Sequence, residues 1–220
     1  MSGPLGVMST KIVFAASALF LSARIDLHSV SATLDPSAPV SRVTPAVARR
    51  LKVSATVDRP IPLARGHVVG LDHEEMRLGQ IVVVPGQRPD LVIGSDILRE
   101  MALELNFPNG SLRVLDRGAT RRRTEQMAPI DAHVSADGCL SLPGIGSDGA
   151  PLSVALDGSA ERLSGTPTAV RLGPVHVAAA RLANRTGRCE ANDLVLDWRA
   201  FANRTVVLDL GNGKIWLSAG

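Results

Sequence analysis

Aromatic side chains are scarce in this chain of 220 residues: they make up 3% of it, and tyrosine is absent. Proteins that bind single-stranded nucleic acid stack the bases on aromatic rings, so the composition argues against that class. The net charge of +3 is also small, and apart from Arg121–Arg123 the cations are scattered, whereas nucleic-acid-binding domains more often present a basic face. We therefore expect no nucleic-acid partner.

Cysteine is almost as rare, with only Cys139 and Cys189. Two thiols exclude a disulfide-rich scaffold and a zinc site built from cysteines. They leave open either one disulfide, formed in an oxidising compartment, or two unpaired thiols. The five histidines form neither an H-x-x-x-H nor an H-x-x-E-H pattern, so a histidine metal site has no support. We expect no metal and no other cofactor.

Long hydrophobic runs are missing as well, because no stretch reaches the ~18–20 apolar residues of a membrane-spanning helix. We therefore expect no integral membrane span. The segment Met8–Ala18 has two interpretations: a signal peptide with its cleavage site at Ala16–Ala18, or the first strands of the fold. Localisation stays open with it, being periplasmic or secreted in the first case and cytoplasmic in the second.

An internal repeat organises the remaining sequence. Asp90–Val114 matches Asp193–Leu217 at a constant offset of 103 residues, without a gap. Both copies predict an apolar strand, a short helical turn, a strand, a hairpin at an Asn-Gly pair and a final strand. Because self-similarity of this kind marks a repeated structural unit, we predict that the chain is a duplicated unit.

Two shorter matches extend the repeat upstream. Ser31–Ala38 matches Ser153–Ala160 at an offset of 122, and Arg77–Val83 matches Arg171–Val177 at an offset of 94. The predicted lobes are residues 1–115 and 129–220, with a linker at 116–128. The arginine run in this linker is interpreted as solvated, with an anionic docking patch as the alternative.

The predicted elements are mostly strands. In the first lobe these are Lys11–Ala16, Leu19–Asp26, Ser29–Leu34 and Ile81–Val84, with a short helix after Thr44 and a projecting hairpin over Val53–Asp72. The second lobe keeps the strands, but its spacer Glu161–Val170 is too short for both the helix and the hairpin.

Each half carries one aspartate at the end of an apolar strand, Asp35 and Asp157. Two equivalent units pack most readily about a twofold axis, which would bring the two carboxylates together. Neighbouring carboxylates cannot both ionise, so they share a proton. One can then activate a water while the other protonates a carbonyl oxygen, which is the chemistry of peptide hydrolysis. An aspartate before Pro or Gly is also a common turn residue.

The sequence resembles the retropepsin-like and pepsin-like aspartic proteases over most of its length, from about Leu19 onward. In that family each lobe carries an apolar residue followed by Asp, Thr or Ser, Gly and Ala, and later two apolar residues and a Gly that open a short helix. Here Leu34–Ala38 and Leu156–Ala160 correspond to the first motif. Leu91–Gly94 matches the second motif, and Leu194–Asp197 matches it except at the Gly.

The resemblance implies a mostly β fold of two homologous acid-protease-like barrel lobes, with short helices, related by a pseudo-twofold axis. It implies an aspartic endopeptidase with Asp35 and Asp157 as the catalytic dyad. Ser37, Ser159 and Gly66 become candidates for substrate binding, with extended peptide or protein lying under the predicted hairpin. The protein would be a monomer that contains its pseudo-dimer within one chain.

Departures from the family motif support a second hypothesis. Pro36 and Gly158 replace the Thr or Ser, Ser37 and Ser159 replace the Gly, and Asp197 replaces the later Gly. The alternative is therefore a catalytically degenerate protein that acts as a peptide-binding or scaffolding module; a purely structural β protein is a third possibility. An active dyad requires the two carboxylates within hydrogen-bond reach or bridged by one water, whereas a carboxylate buried against an arginine favours the binding module.

Overall fold

The computed structural model describes residues 10–15, 18–53, 59–135, 139–156, 168–179 and 194–219, and these are mostly β-strand. The first half contains β1 (Thr10–Ala15), β2 (Ala18–Ile25), β3 (His28–Leu34), β4 (Arg42–Val43), α1 (Pro45–Arg50), β5 (Pro60–Leu71), β6 (Glu74–Val83), β7 (Leu91–Ile93), α2 (Ser95–Leu98), β8 (Ala102–Asn106) and β9 (Ser111–Leu115). The predicted mostly β fold class is confirmed.

The second half begins after a helix, α3 (Arg117–Thr124), which occupies the segment predicted as a linker. Its strands are β10 (Ala128–Asp131), β11 (His133–Val134), β12 (Leu140–Ile145), β13 (Pro151–Leu156), β14 (Thr168–Leu172), β15 (Val175–Ala179), β16 (Leu194–Leu196), β17 (Thr205–Asp209) and β18 (Lys214–Leu217). Two short 3₁₀ helices, Trp198–Phe201 and Leu210–Asn212, precede β17 and β18.

A closed barrel forms the body of the first lobe. Its strands pair in the order β2, β3, β7, β4, β6 and β5, and β5 pairs back with β2. Closure removes the free edges of the sheet. The side chains of Leu34, Leu71, Ile81 and Ile93, on four of these strands, are fully buried inside. β3 and β7 run parallel, so both strands finish at the same end of the barrel, where the first aspartate loop lies.

The second lobe has a smaller sheet, in the order β15, β14, β12, β13 and β16, with β11 beside β12. Here β13 and β16 form the parallel pair. Cys139, just before β12, is disulfide-bonded, which decides between the two sequence alternatives for that thiol. Cys189 lies outside the described residues. No helix in the described part of the chain is long and apolar enough to cross a membrane.

The sheet of the barrel continues through β1, which pairs with β2, into six antiparallel strands that join the lobes, in the order β10, β18, β17, β8, β9 and β1. The central pair of these six strands is β8 with β17, one strand from each lobe. Leu105 pairs with Val206 and Leu103 with Leu208, and the offset of 103 exchanges these two pairs. Glu104 opposite Val207 maps onto itself, so the pairing of β8 with β17 is symmetric about this residue pair.

The same offsets relate the parallel strand pairs that lead to the aspartate loops. Ala32 pairs with Leu91 in the first lobe, and Val154 pairs with Leu194 in the second. The first partners differ by 122 positions and the second by 103, which are the offsets found in the sequence. Asp35 directly follows β3, and Asp157 follows β13 in the sequence but lies outside the described residues.

The sequence match at an offset of 94 does not join structurally equivalent segments, so this part of the predicted repeat is wrong. Arg77–Val83 lies within the continuous strand β6, whereas Arg171–Val177 contains a hairpin turn at Gly173. The equivalent turn of the first lobe is at Asp72, because Leu71 pairs with Glu74 as Leu172 pairs with Val175. Asp72 and Gly173 share a φ of 56°, so both adopt the left-handed conformation.

The hairpin expected over Val53–Asp72 is also different in the structure. Pro60–Leu71 is one long strand, β5, which pairs with β6 across a turn at residues 72–73. The register of β5 shifts between Pro62 and His67, so several residues bulge opposite Gly79. Residues 54–58 lie outside the described part.

The bulge matches a change in the hydrophobic pattern of β6. Met76 and Leu78 are buried at even positions, but Ile81 and Val83 are buried at odd positions. Successive side chains of a strand point to opposite faces, so the inward-facing set changes phase by one residue at this place.

Candidate functional site

Asp35 begins the loop after β3 and is fully buried. Its Oδ1 atom accepts hydrogen bonds from the Ser37 hydroxyl at 2.6 Å and from the Ser37 backbone N–H at 3.1 Å. The predicted substrate-binding residue Ser37 is itself buried and is engaged with this carboxylate. The intervening Pro36 has no N–H to offer, so the loop supplies its donors one residue later.

Arg42 occupies the other oxygen of the same carboxylate. Its Nη2 atom forms an ion pair with Asp35 Oδ2, and only 1% of the Asp35 side chain is exposed. Arg42 reaches the loop because β4 lies between β7 and β6, next to the parallel strand pair. The Nε atom of Arg42 is buried without a hydrogen-bond partner among the described residues. A buried carboxylate is therefore compensated by a cation and two hydrogen bonds from within its own lobe.

A second layer of polar groups supports this loop. The Ser41 hydroxyl donates to Asp96 Oδ1 at 2.8 Å, the Ser41 N–H donates to Asp96 Oδ2 at 3.0 Å, and the Gly94 N–H donates to the Ser41 hydroxyl oxygen at 3.0 Å. Burial raises the pKa of Asp96 above its ordinary value, although the hydrogen bonds from Ser41 oppose the increase. This network fixes the loop of residues 38–41 against the start of α2.

Gly94 allows the close approach on which that network depends. A Cβ atom at this position would lie 2.6 Å from the Ala38 carbonyl oxygen and 2.9 Å from the Val40 carbonyl carbon. Both neighbours are backbone atoms and cannot rotate away. The Gly that the sequence matched to the family motif is therefore required here by packing.

Trp198 of the second lobe holds the first aspartate loop from the other side. Its indole Nε1–H donates to the Leu34 carbonyl oxygen at 3.0 Å, and the side chain is fully buried. Its ring packs against Phe107 of the first lobe and Phe201 of the second, with centroid distances of 6.1 and 6.5 Å. In the family that the sequence resembles, a hydroxyl beside the aspartate makes the contact between lobes. Here a tryptophan from the opposite lobe hydrogen-bonds to the residue before Asp35.

Asp197 replaces Gly94 at the equivalent position of the second lobe. Its carboxylate caps the 3₁₀ helix by accepting from the Arg199 N–H at 2.7 Å, and it also forms an ion pair with the Arg199 guanidinium. The hydrogen bond that the Arg199 guanidinium donates to the Asp197 carboxylate raises the pKa of Arg199, although burial opposes this. The negative charge of Asp197, which the family motif lacks, is thus neutralised by Arg199, two residues later in the chain.

The remaining predicted site residues lie elsewhere. Asp157 and Ser159 are outside the described residues, so the dyad stays a prediction. Gly66 lies in the bulged part of β5, covered by the Arg77 side chain, and not at a hairpin turn. No group of three or more metal-ligating side chains is present in the described ranges of the chain.

Sequence reasoning missed two residues that contact the loop. Arg42 carries no motif signal, because its pairing with Asp35 arises only from the placement of β4. A tryptophan in an apolar segment indicates only packing, and the ring of Trp198 is indeed buried. The only sequence signal for the hydrogen bond across the lobes is the position of Trp198 in the repeat. At the offset of 103, Trp198 directly follows the position that corresponds to Gly94.

Comparisons with known proteins leave the family open. No protein-family model matches the sequence, and no curated protein matches it. Among solved structures, the chain is similar to the retroviral protease-like domain of Ddi1 from Leishmania major, with 22% sequence identity and a TM-score of 0.34. The match covers 48% of this chain and 97% of that domain. At this TM-score the likeness carries no inference about activity.

Proposed function

We propose that the chain is a duplicated, two-lobed protein of the retropepsin-like type that binds an extended peptide between its lobes without hydrolysing it. The shared offsets of 103 and 122 in the strand registers support the duplication. The observation that carries the loss of catalysis is the state of Asp35, whose two oxygens are both occupied by groups of its own lobe.

Dyad catalysis needs a different arrangement. Two carboxylates must share one proton and a water, and the proton lies on an oxygen that faces the partner carboxylate. In this chain a guanidinium contacts Oδ2 of Asp35, while the Ser37 hydroxyl and N–H contact Oδ1. A shared proton would have to displace one of these partners and leave Arg42 without its counter-charge in a largely buried position.

Peptide binding does not require the dyad. Extended peptides bind proteins through main-chain hydrogen bonds to strand-like backbone, and pockets at lobe interfaces accept their side chains. The hydrogen bond from Trp198 to Leu34 joins the two lobes at the aspartate loop, and we expect the peptide to bind in a cleft between the lobes beside it. We expect the protein to act as a monomer with this single cleft.

Peptide hydrolysis by Asp35 and Asp157 is the second candidate. It is favoured by the equivalent chain positions of these residues after β3 and β13, which the strand registers support. In this case Arg42 would have to leave Asp35 when substrate binds.

The two candidates separate in one experiment with the full chain. Denatured casein is incubated with the protein between about pH 3 and 7, the range over which carboxylate pairs change protonation, and cleavage is followed by gel electrophoresis. Binding of fluorescein-labelled casein peptides is measured in parallel by fluorescence anisotropy. We expect saturable binding without cleavage.

Cleavage that Asp35→Asn and Asp157→Asn each abolish would establish the peptidase and overturn our proposal. Cleavage that survives both changes would come from a contaminant and leave the binding result to decide. Absence of both binding and cleavage would contradict both candidates.

A further inference from the structure

A groove between α3 and the sheet that joins the lobes carries two arginines that form no ion pair with any described residue. It has a volume of about 450 Å³, and the polar residues that line it include Glu104, Asn106, Ser111, Arg113, Arg122 and Arg123. None of these residues belongs to the aspartate loop. We propose that this groove binds a phosphate monoester carried by a small molecule.

The first free cation results from competition for Glu104. Arg113 on β9 lies directly opposite Glu104 on β8, a position at which opposite charges normally pair. However, the Glu104 carboxylate is engaged by Arg123 of α3, with Nε 2.5 Å from Oε2 and Nη2 3.1 Å from Oε1. Arg113 forms no ion pair within the described part of the chain, and its side chain is exposed in the groove.

The second free cation follows from the geometry of α3. Consecutive residues of a helix point about 100° apart, so the three arginines at 121–123 cannot share one ligand. Arg122 and Arg123 line this groove, whereas Arg121 lines a separate cavity on the other side of α3 together with Arg117. Since Arg123 is neutralised by Glu104, the groove keeps a surplus of two positive charges, on Arg113 and Arg122.

Two guanidinium groups suit a phosphate monoester. Such a group carries about −1.5 to −2 charges at neutral pH, and its oxygens accept paired hydrogen bonds from the planar guanidinium fork. The Ser111 hydroxyl offers a further donor in the same groove. The volume lies within the range of pockets for small ligands, roughly 300–1,000 Å³.

A long acidic peptide fits this surface less well. Past α3 the next cavity is lined by Glu100, Asp116 and Asp209 among its cations. A peptide that continued from the groove into that cavity would bring its carboxylates next to these acids. The positive charge without a partner is therefore local and matches one compact dianion.

The test uses isothermal titration calorimetry on the full chain with adenosine monophosphate, inorganic phosphate and adenosine. We expect the two phosphates to bind and adenosine not to bind. Arg113→Gln and Arg122→Gln should each weaken adenosine monophosphate binding by at least about tenfold, the effect of losing one charged hydrogen bond. Arg121→Gln, which removes the same charge on the other side of α3, should change it by less than about twofold.

Thermal unfolding of each variant shows whether the fold is intact, which we expect because these side chains are exposed. Equal weakening by Arg121→Gln would mean a diffuse charge effect and overturn the site. Absence of binding by both phosphates would also overturn it. Tighter binding of a poly-glutamate peptide than of adenosine monophosphate would show that the surface docks acidic protein segments instead.

Discussion

The ends of β7 and β16 have the same backbone conformation but differ in their side-chain chemistry. Gly94 has φ −91° and ψ −178°, and Asp197 at the equivalent position has φ −101° and ψ 172°. In the first lobe the absence of a side chain admits the backbone of residues 38–40. In the second lobe a carboxylate caps the helix that follows. The backbone conformation is therefore the same at a position where the two side chains have different structural roles.

The neighbouring position shows the same divergence. Ser95 of the first lobe is a buried serine, whereas its equivalent Trp198 reaches across to the opposite lobe and donates to Leu34. A molecule with true twofold symmetry would have this contact twice. One large side chain from one lobe makes it once, so the two aspartate loops need not be interchangeable.

Among the changes that test the difference between the lobes, removal of the cation beside Asp35 should have the largest effect on stability. Arg42→Met should destabilise the protein by about 3–5 kcal/mol, because it leaves a buried carboxylate without its counter-charge. Arg24→Met is the matched control, since Arg24 pairs with Glu75 at the surface and such pairs contribute about 0–1 kcal/mol. Urea unfolding measures both. Equal losses would mean that the Asp35 pair does not depend on burial.

The contact between lobes should have the next largest effect. Trp198→Phe keeps an aromatic ring but removes the donor to the Leu34 carbonyl, so we expect a loss of about 1–3 kcal/mol in the free energy of unfolding. Trp216→Phe, on β18 and only partly buried, serves as the control and should cost less. A loss at Trp198 no larger than that at Trp216 would contradict the role of this hydrogen bond.

Gly94→Ala tests why the two strand ends need different residues. The new Cβ would collide with the Ala38 and Val40 backbone, which we expect to cost about 1–3 kcal/mol, the range for overpacked sites. Gly79→Ala has nothing within 4 Å of its Cβ and should be close to neutral. Chemical denaturation of both variants decides, and a neutral Gly94→Ala would show that the loop can move.

The smallest effect is a difference in pH dependence between two carboxylates of the first lobe. Burial raises the pKa of Asp96 above 3.8. For Asp26, burial also acts to raise the pKa, but the Val68 N–H, the hydrogen bond with His67 and nearby histidine charge outweigh it and lower the pKa. The folded state therefore holds the Asp96 proton more tightly, and the Asp26 proton less tightly, than the unfolded state does.

Stability linked to Asp96 is present at low pH and falls as pH rises through and above 3.8, whereas stability linked to Asp26 is present above 3.8 and falls as pH drops below it. Relative to the unchanged chain, Asp96→Asn should gain stability with rising pH, and Asp26→Asn should lose it. Denaturant unfolding between about pH 2.5 and 7 measures the two slopes. Slopes of the same sign would refute the assignment.

Much of the fold could be predicted from local patterns. Alternating apolar residues and Asn-Gly pairs predicted β8, β9, β17 and β18, and the Thr44 cap with Pro45 predicted α1. The offset of 103 ran without a gap through several elements, and the register of β8 with β17 is consistent with it. The offset of 94 failed because it matched Arg-Leu-Gly by identity, although Gly79 is in a strand and Gly173 is in a turn. The turn of the first lobe uses Asp72, which adopts the left-handed conformation without being a glycine.

The partners of Asp35 could not be predicted in this way. Arg42 is seven residues away in sequence, and nothing in a strand of two residues indicates which way its side chain points. Trp198 is 164 positions from Leu34, so their hydrogen bond exists only once the lobes are packed. The sequence could indicate that the aspartate stands at a special position, but the charge balance around it depends on tertiary structure.

The pairing of Glu104 with Val207 has a consequence for which lobes can pair through their central strands. Two first lobes joined through β8 in the same register would set one Glu104 directly against another, and like charges in that position repel. Two second lobes would set Val207 against Val207, which carries no such penalty. The acidic residue on the central strand thus disfavours pairing of two first lobes through β8 and favours the pairing of β8 with β17.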